Sequence, residues 1–235
     1  MHPVELKPVF LFADSQFLFY WNESGLFLDK IKYFLPKEIN GDEIKAAYIG
    51  ASNGDDPQFY EIFEIAMQQI EIRNCRMIKS NPDKDDNEFL KRADIILLAG
   101  GNTEKGWDVI KRNGWDDIIT CKYFTGAILI GISAGAIQLG AKGFQESNDE
   151  KIKGFNTLQL VPFIIDVHAD DNWLNLIKRV ESEKGQFKGY GIPYGAGIIY
   201  YPDMSLETVQ FSCIEIIKNG ENTLKSKVLL SSSLY

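Results

Sequence analysis

The sequence predicts an α/β fold with a mostly parallel central sheet and helices on both faces. Short apolar runs alternate with amphipathic segments, which is typical of a parallel sheet covered on both sides. Several of these runs end in small or polar residues, and ligands bind at such strand ends in open α/β sheets. With 235 residues, 45% of them hydrophobic, the chain can bury a full core, so we expect one domain spanning residues 1–235.

The first part of the chain supplies the elements of this sheet in order. Five apolar runs predict strands, at Val9–Ala13, Lys45–Ile49, Arg76–Lys79, Asp94–Leu98 and Ala127–Ile132. Five amphipathic segments predict helices, at Leu26–Phe34, Pro57–Gln69, Asn87–Arg92, Thr103–Arg112 and Ala134–Ala141. The alternation of strand and helix is what a parallel sheet requires.

The pattern is looser after these elements. Gly143–Gly154 is predicted to be a polar loop, followed by an apolar segment at Leu158–Ile165 and a helix around Trp173–Val180. Further strands are predicted at Gly189–Ile192, Ala196–Tyr201, Thr208–Ile217 and Lys227–Leu230. The Asn219-Gly220 turn before the last strand predicts an antiparallel hairpin.

The charge of the chain narrows its partners. A net charge of −8 and the lack of a basic run argue against a nucleic-acid partner. The acidic cluster Asp83–Asp86 is predicted to be a solvated loop. No apolar stretch approaches the ~20 residues of a membrane span. The short run Val9–Ala13 lacks a cleavage pattern and is interpreted as a strand, not a signal peptide. We therefore expect a cytoplasmic protein.

The cysteines give no sign of a disulfide framework or a metal site. Cys75, Cys121 and Cys213 are widely spaced and odd in number. This pattern fits reduced thiols in a cytosolic protein. No cofactor and no metal are expected.

The segment Gly131–Gly135, with sequence Gly-Ile-Ser-Ala-Gly, carries the strongest functional signal. It closes one apolar run and opens a helical pattern, which is the arrangement of a nucleophile elbow. The glycines permit unusual backbone angles around Ser133, and Ala134 at the helix start can present its N–H to a developing oxyanion. Ser133 is therefore the candidate nucleophile.

A serine nucleophile needs a base, and histidine is the usual one. The chain has two histidines, of which His2 lies at the terminus. His168 follows an apolar segment and precedes a predicted helix, so it is the candidate base. A surface or helix-capping role is the alternative for this residue.

The segment Gly100–Thr103, with sequence Gly-Gly-Asn-Thr, joins another strand to another helix. Its consecutive glycines expose backbone N–H groups where negative charge is favoured. The Gly101 N–H could complete an oxyanion hole with that of Ala134, although an ordinary strand–helix turn has the same appearance. The spacing to Lys105-Gly106 does not match a P-loop, which argues against nucleotide binding.

Aromatic residues cluster at Phe17–Trp21 and at Tyr200-Tyr201. Such clusters can line a pocket, but in α/β proteins they lie more often in the core or at an interface. We expect one of these two roles, core or interface, here.

Taken together, these motifs resemble peptidase family S51, which includes aspartyl dipeptidase (peptidase E) and cyanophycinase. The matching segments occur in the family's order and span nearly the whole chain: Gly100–Thr103, Gly131–Ala136, Ser147–Asp149, His168 and Gly191–Gly195. The resemblance implies a fold similar to class I glutamine amidotransferases, of flavodoxin-like type. It also implies that Ser133 is the nucleophile, His168 the base, and Gly101 and Ala134 the oxyanion donors.

Two departures from the family pattern concern the acid partner and the substrate. The family segment G-[LI]-P-E-G occurs here with Tyr194 in place of the glutamate thought to orient the histidine. A tyrosine hydroxyl can hydrogen-bond to imidazole but supplies no carboxylate. Asp149 matches an aspartate sometimes proposed as the acid in this family, and Asp166 and Asp170 lie beside His168; a solvated loop position is the alternative for each.

The second departure concerns arginines that peptidase E carries in the helix after its histidine. Here that stretch runs from Asp171 to Lys178-Arg179, without clear counterparts near its start, so a preference for Asp-X peptides is not expected. Asp170 and Asp171 could instead accept a basic group of the substrate.

The sequence therefore leaves two functions. The first is a serine peptidase of the S51 type that hydrolyses a small peptide, a dipeptide or an isopeptide, with a homodimer as one possible assembly. The second is a catalytically weakened member that binds a small ligand or partner, because Tyr194 replaces the glutamate. A glutaminase would need a cysteine at position 133, and in α/β-hydrolase esterases the histidine usually follows the serine at a greater distance.

Overall fold

The computed structural model describes residues 4–22, 25–35, 43–145, 153–168, 172–220 and 224–231. The strands within these ranges are β1 (Val9–Phe12), β2 (Trp21–Asn22), β3 (Gly25–Leu26), β4 (Lys45–Ile49), β5 (Asn74–Ile78), β6 (Ile95–Leu98), β7 (Ile128–Ile132), β8 (Lys142–Phe144), β9 (Gly154–Asn156), β10 (Ile164–Val167), β11 (Phe187–Ile192), β12 (Gly197–Tyr200), β13 (Leu206–Val209), β14 (Cys213–Lys218) and β15 (Leu224–Leu229).

The helices within the same ranges are α1 (Leu28–Tyr33), α2 (Pro57–Gln69), α3 (Lys84–Lys91), α4 (Thr103–Arg112), α5 (Trp115–Phe124), α6 (Ala134–Leu139) and α7 (Leu174–Ser182). A short 3-10 helix, Ser15–Phe19, follows β1 and is capped by the Asp14 carboxylate. None of the helices in the described ranges is long and apolar enough to cross a membrane.

The central sheet has seven strands in the order β13-β12-β1-β7-β6-β4-β5. The five strands β1, β7, β6, β4 and β5 run parallel to one another, whereas β12 pairs antiparallel with both β1 and β13 at one edge. All five strands predicted before residue 133 are in this sheet. The prediction of an α/β fold with a mostly parallel sheet is therefore confirmed.

Successive side chains of the central strands lie on opposite faces of the sheet, and both faces are buried. Leu11, Leu98 and Leu129 pack with residues of α3, α4, α5 and α6 on one face. Phe10 and Ile130 pack with residues of α1 and α2 on the other. Because both faces are covered, the strands are apolar throughout, and β1, β6 and β7 are entirely buried.

A second, four-stranded sheet has the order β10-β11-β14-β15. Its own small core joins Ile164 and Ile216 to Leu176 and Val180 of α7. β14 and β15 pair antiparallel, which confirms the predicted hairpin pairing, while residues 221–223 lie outside the described ranges.

Three predictions for the chain are wrong. Thr208–Ile217 is not one strand: the chain leaves the central sheet at Gln210, where φ is +68°, and enters the second sheet as β14. Gly143–Gly154 is not only a loop, because β8 pairs with β9 at its two ends. Asp83–Asp86 is not a solvated loop either, since Asp83 and Asp86 form a capping box at the start of α3.

Candidate active site

Ser133 occupies the turn between β7 and α6. Its backbone angles are φ 50° and ψ −110°, outside the regions that residues with a side chain normally adopt. Its N–H donates to Phe12 O at 2.9 Å, which ties the turn to the end of β1. A Cβ on Gly135 would lie 2.0 Å from Leu98 O. The glycine therefore lets α6 approach β6, and the elbow predicted from the sequence has the expected strand–turn–helix context.

The segment Gly100–Thr103 lies next to this turn. A Cβ on Gly100 would be 3.3 Å from Ser133 Cβ, and Gly101 has φ +131°. Ser52 O accepts the Asn102 N–H at 2.9 Å, and a Cβ on Gly101 would meet the same oxygen at 2.2 Å. Only glycine fits this position without a shift of the chain.

Two backbone donors border the serine. Gly101 and Ala134 both line a cavity together with Ser133. Within the described ranges, the N–H of neither residue donates to a backbone carbonyl. Both N–H groups are therefore candidates for the stabilisation of an oxyanion formed at Ser133.

Two cavities meet at Ser133 and His168. The first, which we call the apolar pocket, has a volume of about 240 Å³ and is lined by Ala13, Asp14, Ser15, Leu18, Tyr48, Asn53, Phe59, Ile62, Phe63, Leu97, Ala99, Gly100, Gly101, Ile132, Ser133 and His168. The second, the polar pocket, has about 250 Å³ and is lined by Gly101, Thr103, Ser133, Ala134, Ile137, Phe144, Asp166, Val167, His168 and Arg179. A substrate bound across Ser133 would extend into both.

His168 directly follows β10, and its N–H donates to Ile192 O at 3.1 Å. Its Nε2 lies 2.5 Å from Ala13 O, at the end of β1. Because a carbonyl only accepts, Nε2 carries the proton in this contact, and in the neutral ring Nδ1 is then the acceptor. In the part of the chain that the structure describes, no hydrogen bond joins His168 to Ser133 Oγ. The two side chains border the same cavities.

Tyr194 covers the imidazole of His168. The ring centroids are 4.1 Å apart and the planes differ by 2°, so the two rings are stacked. The nitrogen lone pairs and N–H bonds of imidazole lie in the plane of the ring, so this contact uses the ring faces and not the tyrosine hydroxyl. Tyr194 is 60% exposed. Asp14 holds the adjacent backbone, since its Oδ2 accepts the Gly195 N–H at 2.7 Å.

Asp166 forms an ion pair in the wall of the polar pocket. Its Oδ1 lies 2.9 Å from Nη1 of Arg179, and the same oxygen accepts the Val167 N–H at 3.1 Å. The Arg179 guanidinium also lies over the ring of Phe144, 5.1 Å from its centroid. The structure thus brings Asp166 near the site, paired with a cation. Asp149, Asp170, Asp171 and His2, also considered from the sequence, lie outside the described residues.

Most of the residues that line the apolar pocket are not predicted by the sequence motifs. Asp14 lies two residues after the end of β1, so the rule that ligands bind at polar strand ends points to it. Tyr48 is inside β4, and burial raises the pKa of its hydroxyl to about 12. Phe59 and Ile62 belong to α2, and no local pattern distinguishes a pocket-lining residue of a helix from a core residue. The aromatic cluster Phe17–Trp21 is predicted to lie in the core or at an interface. Phe17 lies in the core and Trp21 is 67% exposed, whereas Leu18 reaches the pocket.

Known proteins are similar to this chain in sequence and in fold. The model of the family "Peptidase family S51" matches residues 23–205. An uncharacterized peptidase, YgaJ, of Bacillus subtilis (strain 168) is 23% identical over 179 residues, which cover 75% of this chain and 77% of that protein.

Two crystal structures have a similar fold. A peptidase from an acI-B1 Actinobacterium superimposes with a TM-score of 0.68 at 13% identity, covering 98% of this chain and 97% of that one. A putative peptidase E protein from Listeria monocytogenes EGD-e gives a TM-score of 0.63 at 20% identity, covering 88% and 100%. Because the family model covers most of the residues, the chain belongs to peptidase family S51.

Proposed function

We propose that the protein is a serine peptidase that hydrolyses a small peptide, a dipeptide or an isopeptide, with Ser133 as nucleophile and His168 as base. The observation that carries this proposal is the position of Ser133, on a strained turn where two cavities meet beside an imidazole and two backbone N–H donors. Strain of this kind is typical of functional sites.

The proposed reaction has two stages. Ser133 Oγ attacks the carbonyl carbon while its proton passes to Nδ1 of His168, and the N–H groups of Gly101 and Ala134 stabilise the oxyanion. The C–N bond then breaks, and the imidazolium protonates the leaving amine. In the second stage water, deprotonated by His168, attacks the acyl-enzyme ester and releases Ser133 and the carboxylic acid.

The Ala13 carbonyl takes part of the role that a carboxylate has in a Ser-His-Asp triad. By accepting the Nε2 proton it fixes the tautomer and orients the ring. It carries only a partial negative charge, so it stabilises the imidazolium less than a carboxylate would. We therefore expect catalysis to be slower than with a full triad.

The experiment that tests the proposal is labelling with a small fluorophosphonate, read by intact mass and peptide mapping. The mechanism predicts one adduct, at Ser133, and none in Ser133→Ala. It also predicts that only the unlabelled wild-type protein hydrolyses dipeptides. An unlabelled serine in folded protein, or turnover retained by Ser133→Ala, would overturn it.

The replacement of glutamate by Tyr194 favours a second candidate, a weakened family member that binds a small ligand. Tyr194→Glu separates the two, because restoring the carboxylate should raise hydrolysis strongly only where the missing acid limits the rate. Detectable turnover by the natural sequence that depends on Ser133 would favour the peptidase.

A further inference from the structure

The apolar pocket has walls that favour one kind of substrate side chain. Side chains from the 3-10 helix, from α2 and from the ends of β6 and β7 supply them: Leu18, Phe59, Ile62, Phe63, Leu97 and Ile132. Its volume of about 240 Å³ far exceeds the roughly 30 Å³ that one water occupies. It therefore has room for a large side chain, whose apolar surface would be removed from water.

No lysine or arginine lines this pocket within the described residues. The phenol of Tyr48 is neutral at physiological pH, as phenols ordinarily are, and burial raises its pKa further, to about 12. Its oxygen accepts the Asn53 amide N–H at 2.9 Å. An acidic side chain would lose its hydration there without gaining a lysine or arginine partner. An apolar side chain would meet matching walls.

The charged groups of the two pockets favour one orientation of a peptide along the site. Asp14 is the one carboxylate among the described residues of the apolar pocket, and its two oxygens each accept a single backbone N–H, from Gln16 and Gly195. Each carboxylate oxygen can accept more than one hydrogen bond, so Asp14 can also bind an ammonium group. Arg179 lines the polar pocket, where its guanidinium pairs with Asp166.

We infer that the substrates are small peptides whose N-terminal residue has an apolar side chain and a free α-ammonium group. The side chain occupies the apolar pocket, the ammonium pairs with Asp14, and the remainder of the peptide extends from Ser133 into the polar pocket. The inference rests on the proposed function, because it assigns the substrate of the same site. It predicts a specificity unlike the preference for an N-terminal aspartate that the name aspartyl dipeptidase denotes.

The test compares kcat/KM for Leu-Ala, Phe-Ala, Asp-Ala and Lys-Ala, and for N-acetyl-Leu-Ala. We expect the two apolar peptides to exceed the acidic and basic ones by at least about tenfold, the scale of discrimination by apolar contacts. Acetylation should lower kcat/KM by a similar factor. A maximum at Asp-Ala or Lys-Ala, or equal rates for free and acetylated Leu-Ala, would overturn the inference while leaving the peptidase in place.

Two matched variants test the pocket itself. Phe59 is 46% exposed in the first turn of α2, so Phe59→Arg can fold while placing a cation beside the pocket. It should lower kcat/KM for Leu-Ala about tenfold relative to Asp-Ala. Phe124→Arg, at the exposed end of α5 and outside both pockets, should leave the ratio unchanged. If Phe59→Arg leaves the ratio of kcat/KM for Leu-Ala to that for Asp-Ala unchanged, the apolar pocket does not bind the N-terminal side chain.

A binding measurement keeps the inference separate from catalysis. If none of the peptides is hydrolysed, the proposed function fails. Calorimetry with Ser133→Ala protein and the same peptides then tests the binding specificity alone. Tighter binding of Leu-Ala than of Asp-Ala would support the apolar specificity. Equal affinity, tighter binding of Asp-Ala, or no binding of any peptide would overturn it.

Discussion

The imidazole of His168 lies face to face with the phenol ring of Tyr194, with 4.1 Å between the ring centroids. The position that holds a glutamate in the resemblance to family S51 thus contacts the candidate base through an aromatic face. The ring nitrogen Nε2 is engaged in its own plane by Ala13 O. Two separate contacts therefore orient this histidine, one above its plane and one within it.

The first prediction follows from the stack. Tyr194→Phe keeps the aromatic face and should retain most of the activity. Tyr194→Ala removes the face and should lower kcat about threefold to tenfold, since an aromatic pair contributes about 0.5–1.5 kcal/mol. KM for dipeptides should change little if the ring acts only by positioning His168. Equal losses in both variants would show that the hydroxyl is the active group.

The second prediction separates the base from a neighbouring carboxylate. His168→Gln should lower kcat by about 10²–10⁴-fold, the usual contribution of general acid–base catalysis. Asp166→Asn should lower kcat less than tenfold, because Asp166 pairs with Arg179 and Ala13 O holds the imidazole. It should still reduce the free energy of unfolding by about 1–3 kcal/mol through the weakened ion pair. Comparable kcat losses in the two variants would make Asp166 the acid.

The third prediction concerns the proposed oxyanion donor. Gly101→Ala should reduce kcat by about 10²-fold or more, because the new Cβ would be 2.2 Å from Ser52 O and would displace the N–H. Gly114→Ala is the matched control: its φ is also positive, at +66°, but a Cβ there meets nothing within 4 Å. That variant should lose stability without losing activity. If both variants keep full activity, the Gly101 N–H has no catalytic part.

How much of the fold the sequence predicts depends on how local each feature is. β4, α2 and α4 have the bounds predicted from hydrophobic periodicity, and most other helices and strands before residue 133 shift by one to three residues. α5 was missed because its apolar residues do not segregate onto one helix face, although Trp115 and Ile119 are buried. Membership of Leu206–Val209 and Cys213–Lys218 in different sheets is a tertiary property that strand propensity does not encode.

The site shows the same division. The elbow around Ser133 and the glycines at Gly100–Thr103 are local signals, and the structure places both sets beside one cavity. The contact between His168 Nε2 and Ala13 O joins residues 155 positions apart. The acceptor is a backbone carbonyl, which every residue type has, so this contact cannot be predicted from residue identity.

The fourth prediction concerns the strained turn. Ser133→Gly and Ser133→Ala should both be inactive. The free energy of unfolding of Ser133→Gly should exceed that of Ser133→Ala by about 1–3 kcal/mol, because glycine adopts φ 50° and ψ −110° without strain. Urea denaturation of the two variants measures the difference. Equal stability would mean that the turn stores no strain, and greater stability of Ser133→Ala would reverse the argument.

The fifth prediction concerns alkaline stability and Cys213. This thiol is buried near the end of the central sheet, with Gly197 O 3.9 Å from its sulfur, and burial raises its pKa from 9.0 to about 12. Between these two values the unfolded chain loses the proton while the folded chain keeps it, so the native state is progressively destabilised. The contribution is fully present below pH 9 and is lost as the pH rises toward 12.

Cys213→Ala removes this ionisation. The variant should be less stable than the wild type at pH 8, because it loses buried atoms, and the gap in the free energy of unfolding should narrow from pH 9 to pH 11. Cys121→Ala removes an exposed thiol and is the control for the loss of a cysteine as such. Urea titrations at a series of pH values provide the measurement. A gap for Cys213→Ala that is constant or widens with pH would show that the thiol ionises as readily in the folded protein as in the unfolded chain.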